Sequence, residues 1–291
     1  MTAVRAPRAA ARPAKPWPAR LRGALPYAGI ALVALYCLAP FYWMVISAFR
    51  RPQDQFDNTP VPVRWSVENF TAVFGGNNDF GRALLNSLIV AGTTTVLTLV
   101  IGVFTAYALA RLNFPFKNAV LGIIIATTMF PGISQLIPLL KLFTDIGWIN
   151  TYQAMILPSL GFALPLTVWM LTTFFRQLPF ELEQAAMVDG CTRGQAFRKI
   201  IVPLAAPGVF TTAIITFIAA WNEFVIALSV VNEQQMQTAT VAISKFTGIS
   251  GHDQPFGTQM AAGVIVTVPL VIVVLIFQRR IVAGLAAGGV K

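Results

Sequence analysis

Long stretches without a charged side chain alternate with short polar segments along most of this 291-residue chain. Six of these stretches exceed the roughly 20 residues that a helix needs to cross about 30 Å of hydrocarbon. None shows the strict alternation of apolar and polar positions that is typical of barrel strands. The pattern therefore predicts an all-α, polytopic membrane protein with six transmembrane helices. The predicted spans are residues 23–49, 83–110, 118–140, 150–175, 201–230 and 256–280.

The first 22 residues contain basic side chains, no acidic side chain and many Ala and Pro residues. Because such a composition cannot bury a core, we expect residues 1–22 to be a disordered tail. A signal peptide is the alternative, since a basic segment precedes an apolar run. The run of residues 23–49 exceeds the roughly 7 to 15 residues of a signal-peptide core, which favours a membrane span. Residues 23–291 are then expected to form one transmembrane domain.

Composition and charge agree with a membrane protein. The chain is 56% hydrophobic and 11% charged, whereas soluble domains are roughly 45–50% apolar and about 25% charged. The net charge of +10 could indicate a nucleic-acid partner, but the basic residues are spread beside the apolar spans. With a cytoplasmic N-terminus, 15 of the 21 Lys and Arg residues fall on the cytoplasmic side, as the positive-inside rule requires. We therefore predict a multi-pass protein of the plasma (inner) membrane with both termini cytoplasmic and no nucleic-acid partner.

Residues 179–203, here called the polar segment, separate the fourth and fifth predicted spans. Pro179 suits the first turn of a helix, where its missing N–H would be unpaired in any case, and Glu181 opposes the positive helix start. Gly190 predicts the end of that helix, because glycine adopts the left-handed cap conformation without steric cost. A narrow stripe at helical spacing is predicted to allow close approach of another surface: Leu182, Ala185, Ala186 and Asp189.

The second half of the polar segment predicts another short helix. Thr192 and Gln195 have the spacing of a capping box, which favours a helix over residues 193–201 that Pro203 then interrupts. An amphipathic loop lying on the lipid headgroups is the alternative for the whole segment. Its basic residues, Arg193, Arg198 and Lys199, would suit that role.

The spacing within the polar segment resembles the EAA loop of ATP-binding-cassette (ABC) importer permeases. That pattern is Glu-Ala-Ala, three residues, Gly, nine residues, Ile, one residue and Leu-Pro. The matching positions are Gln184, Ala185, Ala186, Gly190, Ile200, Val202 and Pro203. Gln184 keeps the size and hydrogen bonding of the usual Glu but loses its charge, and Glu183 stands beside it. Val202 replaces the usual Leu.

The resemblance continues outside the polar segment. It includes Asn86-Ser87 at the start of the second span, Trp221-Asn222-Glu223-Phe224 in the fifth, and the ending at 278–284 with Gly288, Gly289 and Lys291. Together these residues resemble the MalG-like carbohydrate permeases over nearly the whole chain after residue 22. No single one of these motifs is specific, but the combination is.

This resemblance implies a cytoplasmic coupling loop at residues 176–203 that docks on an ATPase. The residues to which it assigns coupling are Glu183, Gln184, Ala185, Ala186, Asp189, Gly190, Arg193, Ile200 and Pro203. It also implies a second homologous permease, two ABC ATPase subunits and an extracytoplasmic solute-binding protein. Because the chain lacks the G-x-x-x-x-G-K-[ST] phosphate loop, ATP and Mg are expected on the ATPases, with no cofactor in this chain.

The fifth predicted span contains candidate residues for the solute route. Glu223 follows a long apolar run, where an ionised carboxylate is costly unless it is paired or hydrated. Trp221, Asn222 and Glu223 supply an aromatic ring, an amide and a carboxylate, which are groups that commonly contact sugars. The alternative is that these residues pack against the companion permease or the binding protein.

The sequence offers no catalytic constellation, since it has one histidine, two distant cysteines and scattered carboxylates. We therefore predict a non-enzymatic subunit without a metal site. The resemblance implies transport of a di- or oligosaccharide such as trehalose or maltose. Glycerol-3-phosphate is the alternative substrate, although the absence of interior Lys or Arg in spans two to six favours a neutral sugar. An ion-coupled secondary transporter is a competing class, and it would need neither a partner permease nor ATP.

Overall fold

The computed structural model describes residues 19–75, 79–246 and 255–289, and the side chains of 26–75, 79–246 and 255–278. Its described residues form helices and no strand, with one isolated antiparallel bridge between Arg50 and Trp65. The predicted all-α class is thereby confirmed. The disorder predicted for residues 1–18 lies outside the described residues.

Thirteen α-helices follow one another through the described part of the chain. They are α1 (Ala19–Ala48), α2 (Glu68–Phe74), α3 (Phe80–Arg111), α4 (Lys117–Ala126), α5 (Gly132–Asp145), α6 (Tyr152–Gln177), α7 (Glu181–Val188), α8 (Arg193–Ala196), α9 (Val202–Leu204), α10 (Ala206–Trp221), α11 (Val225–Val230), α12 (Ala239–Ser244) and α13 (Phe256–Gly289). Short 3₁₀ turns occur at Pro52–Asp54, Thr127–Met129 and Gln234–Met236, and a π-helical turn occupies Phe197–Ile201.

Four of the described helices, α1, α3, α6 and α13, are long and apolar enough to cross a membrane. The number rises to six if each of two sharply bent helix pairs counts as one span. The first helix begins at Ala19. Residues 19–22, expected in the disordered tail, are therefore helical, because the chain enters α1 before its last basic residues.

The third predicted span is not the single helix expected over residues 118–140. The structure divides it into α4 and α5, which meet at an angle of 89°. Pro131 precedes α5 in an extended conformation, and proline both lacks an N–H and disfavours a helical conformation in the residue before it. The second half then continues to Asp145, beyond the predicted end.

The fifth predicted span, residues 201–230, is also divided. The helical run that ends at Leu204 meets α10 at 70°, so residues 201–204 continue the helical run of the polar segment and are not part of the helix that follows. A second break lies between α10 and α11, at residues 222–224. Apolar sequence continues through the first break, and apolar residues flank Asn222 and Glu223 at the second. Hydropathy alone therefore did not distinguish one straight helix from shorter ones.

Close approach of α3, α6 and α10 forms the interior of the bundle. A Cβ atom added to Gly102 would lie 2.6 Å from Thr167 Cγ2, and one added to Gly208 would lie 2.5 Å from the Phe174 ring. Small residues at such contacts are typical of packed membrane helices. Buried threonines share this interior: Thr94, Thr98, Thr167, Thr172, Thr211, Thr212 and Thr216. The polar segment follows directly after α6 and is therefore attached to a closely packed helical bundle.

Candidate functional site

The first half of the polar segment folds into α7 and a glycine turn. The helix begins at Glu181, so Pro179 precedes it and is not in its first turn as predicted. Gly190 has a φ of +89°, which is the left-handed conformation that its position predicted. The backbone N–H of Cys191 then donates to the Ala186 carbonyl at 2.9 Å. This bond fixes the direction in which the chain leaves α7.

The second half of the polar segment begins with the predicted capping box. The Thr192 hydroxyl accepts from the backbone N–H of Gln195 at 3.3 Å, while the Thr192 N–H donates to Gln195 Oε1 at 2.8 Å. The run passes from α8 through the π-helical turn into α9 and ends at Leu204. Pro203 lies in α9, one residue before this end, so the helical run passes the predicted end at Ile201 by three residues.

The predicted stripe of α7 is divided between two environments. Ala186 is buried, whereas Leu182, Ala185 and Asp189 are exposed. The stripe therefore does not form one contact surface. Val188, at 86% exposure, adds to the apolar exposed side of the helix. This exposed side is a candidate surface for another protein.

Glu183 joins α7 to the bundle. Its side chain is only 4% exposed, and its Oε1 accepts a hydrogen bond from the Tyr107 hydroxyl at 2.6 Å. Its other oxygen, Oε2, is buried and has no hydrogen-bond partner among the described residues. Gln184, at the usual Glu position of the pattern, is exposed. No motif indicated Tyr107 as the partner of Glu183, because Tyr107 lies 76 residues away in a predicted span.

Arg111 contacts the residues at the start of the polar segment. It is 7% exposed, and its Nη2 donates to the Leu178 carbonyl at 2.8 Å. Its guanidinium carbon lies 5.3 Å from the centre of the Phe180 ring, a cation–π contact. The Phe197 ring packs 4.5 Å from that of Tyr107. The last turns of α3 therefore contact the first residues of the polar segment and, at Phe197, its second half.

The remaining residues of the predicted coupling set lie at the surface of the polar segment. Arg193 and Pro203 are exposed, and Ile200 is half-buried. Its neighbour Ile201 is fully buried against Phe175 and other residues of the bundle. The predicted coupling residues therefore fall into two groups, one packed against the bundle and one at the surface. Glu183 and Ala186 face the bundle, and most of the others are available for contact from outside.

The structure does not bring Trp221, Asn222 and Glu223 together around one space. The Trp221 ring is 4% exposed and stacks on Phe217 with centroids 5.6 Å apart. Asn222 is exposed, and its amide donates to the Ile218 carbonyl of its own helix at 2.8 Å.

The Glu223 side chain caps the N-terminus of α11. Its Oε1 accepts from the Ile226 N–H at 2.8 Å, and its Oε2 accepts from the Ala227 N–H at 3.0 Å. A carboxylate at a helix start satisfies amides that otherwise have no partner. This bonding accounts for an acidic residue within an apolar stretch without a ligand. A role of these residues in the solute route stays a prediction.

Comparison with known proteins gives concordant matches. A family model described as "Binding-protein-dependent transport system inner membrane component" matches residues 98–286. The chain is 45% identical over 260 residues to the trehalose transport system permease protein SugB of Mycobacterium tuberculosis, covering 89% of this chain and 94% of the relative. It is 40% identical over 264 residues to the trehalose/maltose permease MalG of Thermococcus litoralis, covering 90% and 95%.

Among solved structures, a chain of a bacterial ABC transporter involved in the import of the acidic polysaccharide alginate superposes with a TM-score of 0.76. The match covers 91% of this chain and 99% of that chain at 19% identity. At this identity the likeness concerns the fold, and it extends over all but a small part of both chains.

Proposed function

The chain belongs to the family of binding-protein-dependent transport system inner membrane components, and on this premise we propose that it is a permease subunit of an ATP-driven importer of a di- or oligosaccharide such as trehalose or maltose. The observation that carries the proposal is the 45% identity, over 89% of the chain, to a permease named for trehalose transport. A second relative, named for trehalose and maltose, supports the same substrate class.

In the proposed complex, this chain and a second homologous permease form the translocation pathway. Two ABC ATPase subunits bind ATP and Mg, so this chain is not itself an enzyme, and an extracytoplasmic solute-binding protein delivers the sugar. The related alginate transporter has been solved with a periplasmic protein that carries an alginate pentasaccharide, which supports a binding protein as partner. Residues 23–291, together with the helical residues 19–22, act as the transmembrane domain.

The polar segment is proposed to lie in the cytoplasm as a coupling element, with both termini on the same side of the membrane. The exposed apolar side of α7, formed by Leu182, Ala185 and Val188, is the proposed contact with an ATPase. Gln184, Asp189, Arg193 and Pro203 are exposed around it. When the ATPases close, the movement of α7 reaches α3 through the Tyr107–Glu183 hydrogen bond and through Arg111.

Two alternatives are less well supported. Glycerol-3-phosphate would require cationic groups along its path, and the buried Arg50 and Arg111 already donate hydrogen bonds near the ends of the helices. An ion-coupled secondary transporter would use a carboxylate such as Glu223, but both of its oxygens already accept amide hydrogen bonds. Neither reading is favoured by the relatives, which are named as permease proteins of transport systems.

Reconstitution tests the proposal. The chain is purified with its co-expressed partners, the attached subunits are identified, and the complex is placed in liposomes with ATP inside. We expect uptake of trehalose or maltose that requires ATP, the binding protein and the second permease. Accumulation of sugar by this chain alone, driven by a proton or sodium gradient, would contradict the proposal.

A further inference from the structure

A groove of about 720 Å³ lies where α4 and α5 bend, against the middle of α6. The bend occupies Thr127–Met129 and Pro131, near the middle of the uncharged stretch between Lys117 and Lys141. In secondary transporters, sites for solutes are often built at such interrupted helices within the membrane, and the same geometry is available here. None of the described residues that line the groove carries a charge. The groove is therefore suited to a neutral occupant.

Gln135 is the main polar group in this groove. It is half-buried, and its amide forms no hydrogen bond within the described part of the chain. Thr127 and Thr128 also line the groove, and their hydroxyls donate to the carbonyls of Ile124 and Ile125. Each hydroxyl oxygen can still accept a hydrogen bond. The groove thus offers both donors and acceptors to a ligand.

Apolar and aromatic walls surround these polar groups. Phe162 is 40% exposed, and Trp148, half-buried, stacks near Phe143 with centroids 6.0 Å apart. Pockets for small molecules typically combine such walls with a few polar groups that fix orientation. The C–H faces of a sugar ring can pack on the aromatic side chains while its hydroxyls reach Gln135.

A lipid chain is a poor occupant of the same space. It would leave the Gln135 amide without a partner in hydrocarbon, which costs free energy. It would also cover the interrupted backbone at Phe130 and Pro131, both of which are exposed. Irregular backbone within a membrane is tolerated where protein buries it or where it lines a hydrated cavity. These conditions disfavour lipid and leave a polar solute with water, or a covering protein subunit, as the occupants that the experiment must separate.

We propose that this groove is a contact site for a neutral sugar on its way through the membrane, with Gln135 as the hydrogen-bonding group and Phe162 as the packing surface. The proposal rests on the proposed function as a sugar permease. It places substrate contact in this chain, at a position distinct from Trp221, Asn222 and Glu223. It also accounts for a half-buried amide in a groove lined mostly by apolar side chains.

The test uses the complete complex with ATP, vanadate and radiolabelled trehalose. Vanadate stops ATP hydrolysis and so traps the sugar that is bound within the transporter complex. The measured quantity is trehalose retained per complex. We expect Gln135→Leu to lower retention about three- to tenfold, the range for loss of one or two hydrogen bonds to a neutral ligand. Gln153→Leu, an exposed glutamine at the start of α6, is the matched control and should retain as much as wild type. The binding protein is identical in every sample, so a difference reports on the permease.

Retention by Gln135→Leu equal to that of wild type would overturn the proposal and assign the groove to lipid or to the second permease. A wild-type complex that retains no trehalose or maltose and shows no stimulation of ATP hydrolysis by either sugar would instead count against the proposed function.

If Gln135→Leu fails to assemble, Gln135→Cys in a Cys37→Ser, Cys191→Ser background decides the question. Trehalose should slow its modification by a methanethiosulfonate reagent but not that of Gln153→Cys. Equal rates with and without trehalose would overturn the proposal.

Discussion

The two ends of α3 are held in different ways. Near its N-terminal end, Asn86 Nδ2 donates to the carbonyls of Gln235 and Gln237 at 2.8 and 2.9 Å, and its Oδ1 accepts from the Tyr152 hydroxyl at 2.7 Å. Ser87 beside it accepts from the Ala239 N–H at 2.8 Å. Several bonds therefore fix this end to the backbone of a distant part of the chain.

The C-terminal end of α3 is held by fewer bonds. Tyr107 and Arg111 each make one hydrogen bond to the residues that follow α6, while Glu183 Oε2 and Arg111 Nε are buried without a hydrogen-bond partner among the described residues. Fully satisfied polar networks make a structure rigid. We infer that side-chain hydrogen bonds anchor α3 more firmly at its N-terminal end than at the end that contacts the polar segment.

Breaking the anchored end has the largest expected effect. Asn86→Leu would leave two carbonyls and the Tyr152 hydroxyl without their partner, so we expect a loss of about 3 kcal/mol of stability. The melting temperature of the purified complex, followed by tryptophan fluorescence, measures this loss. Asn113→Leu is the control, because Asn113 is exposed and accepts only from Lys117. Similar melting temperatures for both variants would contradict the anchoring role of Asn86.

Gly190→Val tests whether the polar segment needs its glycine turn. A β-branched residue at a φ of +89° carries a strain of about 1–3 kcal/mol, so we expect α7 to be displaced and the stimulation of ATP hydrolysis by sugar to be mostly lost. Gly194→Val is the matched control, since Gly194 lies in α8 and a Cβ atom there would meet no atom within 4 Å. Normal coupling in the Gly190 variant would show that this turn does not transmit the movement.

Local chemistry predicted much of this architecture. The lengths of the uncharged stretches predicted the four long helices, and Gly190 and the Thr192–Gln195 box predicted the turn and the second helix start of the polar segment. Each of these features depends on residues within a few positions of one another. The bend at Pro131 was missed because apolar content continues through it. The break after Trp221 was missed because the apolar residues on both sides of Asn222 and Glu223 suggested one span.

Contacts between distant residues could not be predicted in the same way. The partner of Glu183 is Tyr107, and the partners of Asn86 are more than 60 residues away. Nothing in the spacing of these residues indicates which helix faces which. The spacing also could not predict that Ala186 is buried while the rest of the α7 stripe is exposed. Burial of Ala186 depends on where α7 lies against the bundle.

Removal of one hydroxyl group at each end of α3 tests whether the two ends differ in their effect on coupling. Tyr107→Phe and Tyr152→Phe delete the same atom, and each should cost about 1 kcal/mol. We expect Tyr152→Phe to lower only the melting temperature, and Tyr107→Phe also to reduce the stimulation of ATP hydrolysis by sugar several-fold, because it detaches Glu183. Parallel melting and ATPase measurements on the two complexes give the result. Equal effects on coupling would mean that the two ends of α3 do not differ in function.

The smallest expected effect concerns Glu223, which lies outside both ends of α3. Glu223→Gln keeps one acceptor for the start of α11 but loses the charge, so we expect a loss of about 0.5–1 kcal/mol and an unchanged rate of sugar uptake. Glu233→Gln is the control, because Glu233 is exposed and accepts from Asn150 at 3.3 Å. A large loss of uptake in the Glu223 variant, with normal melting, would instead place this carboxylate in the solute route. The cap geometry favours the former result, since both oxygens already accept backbone amides.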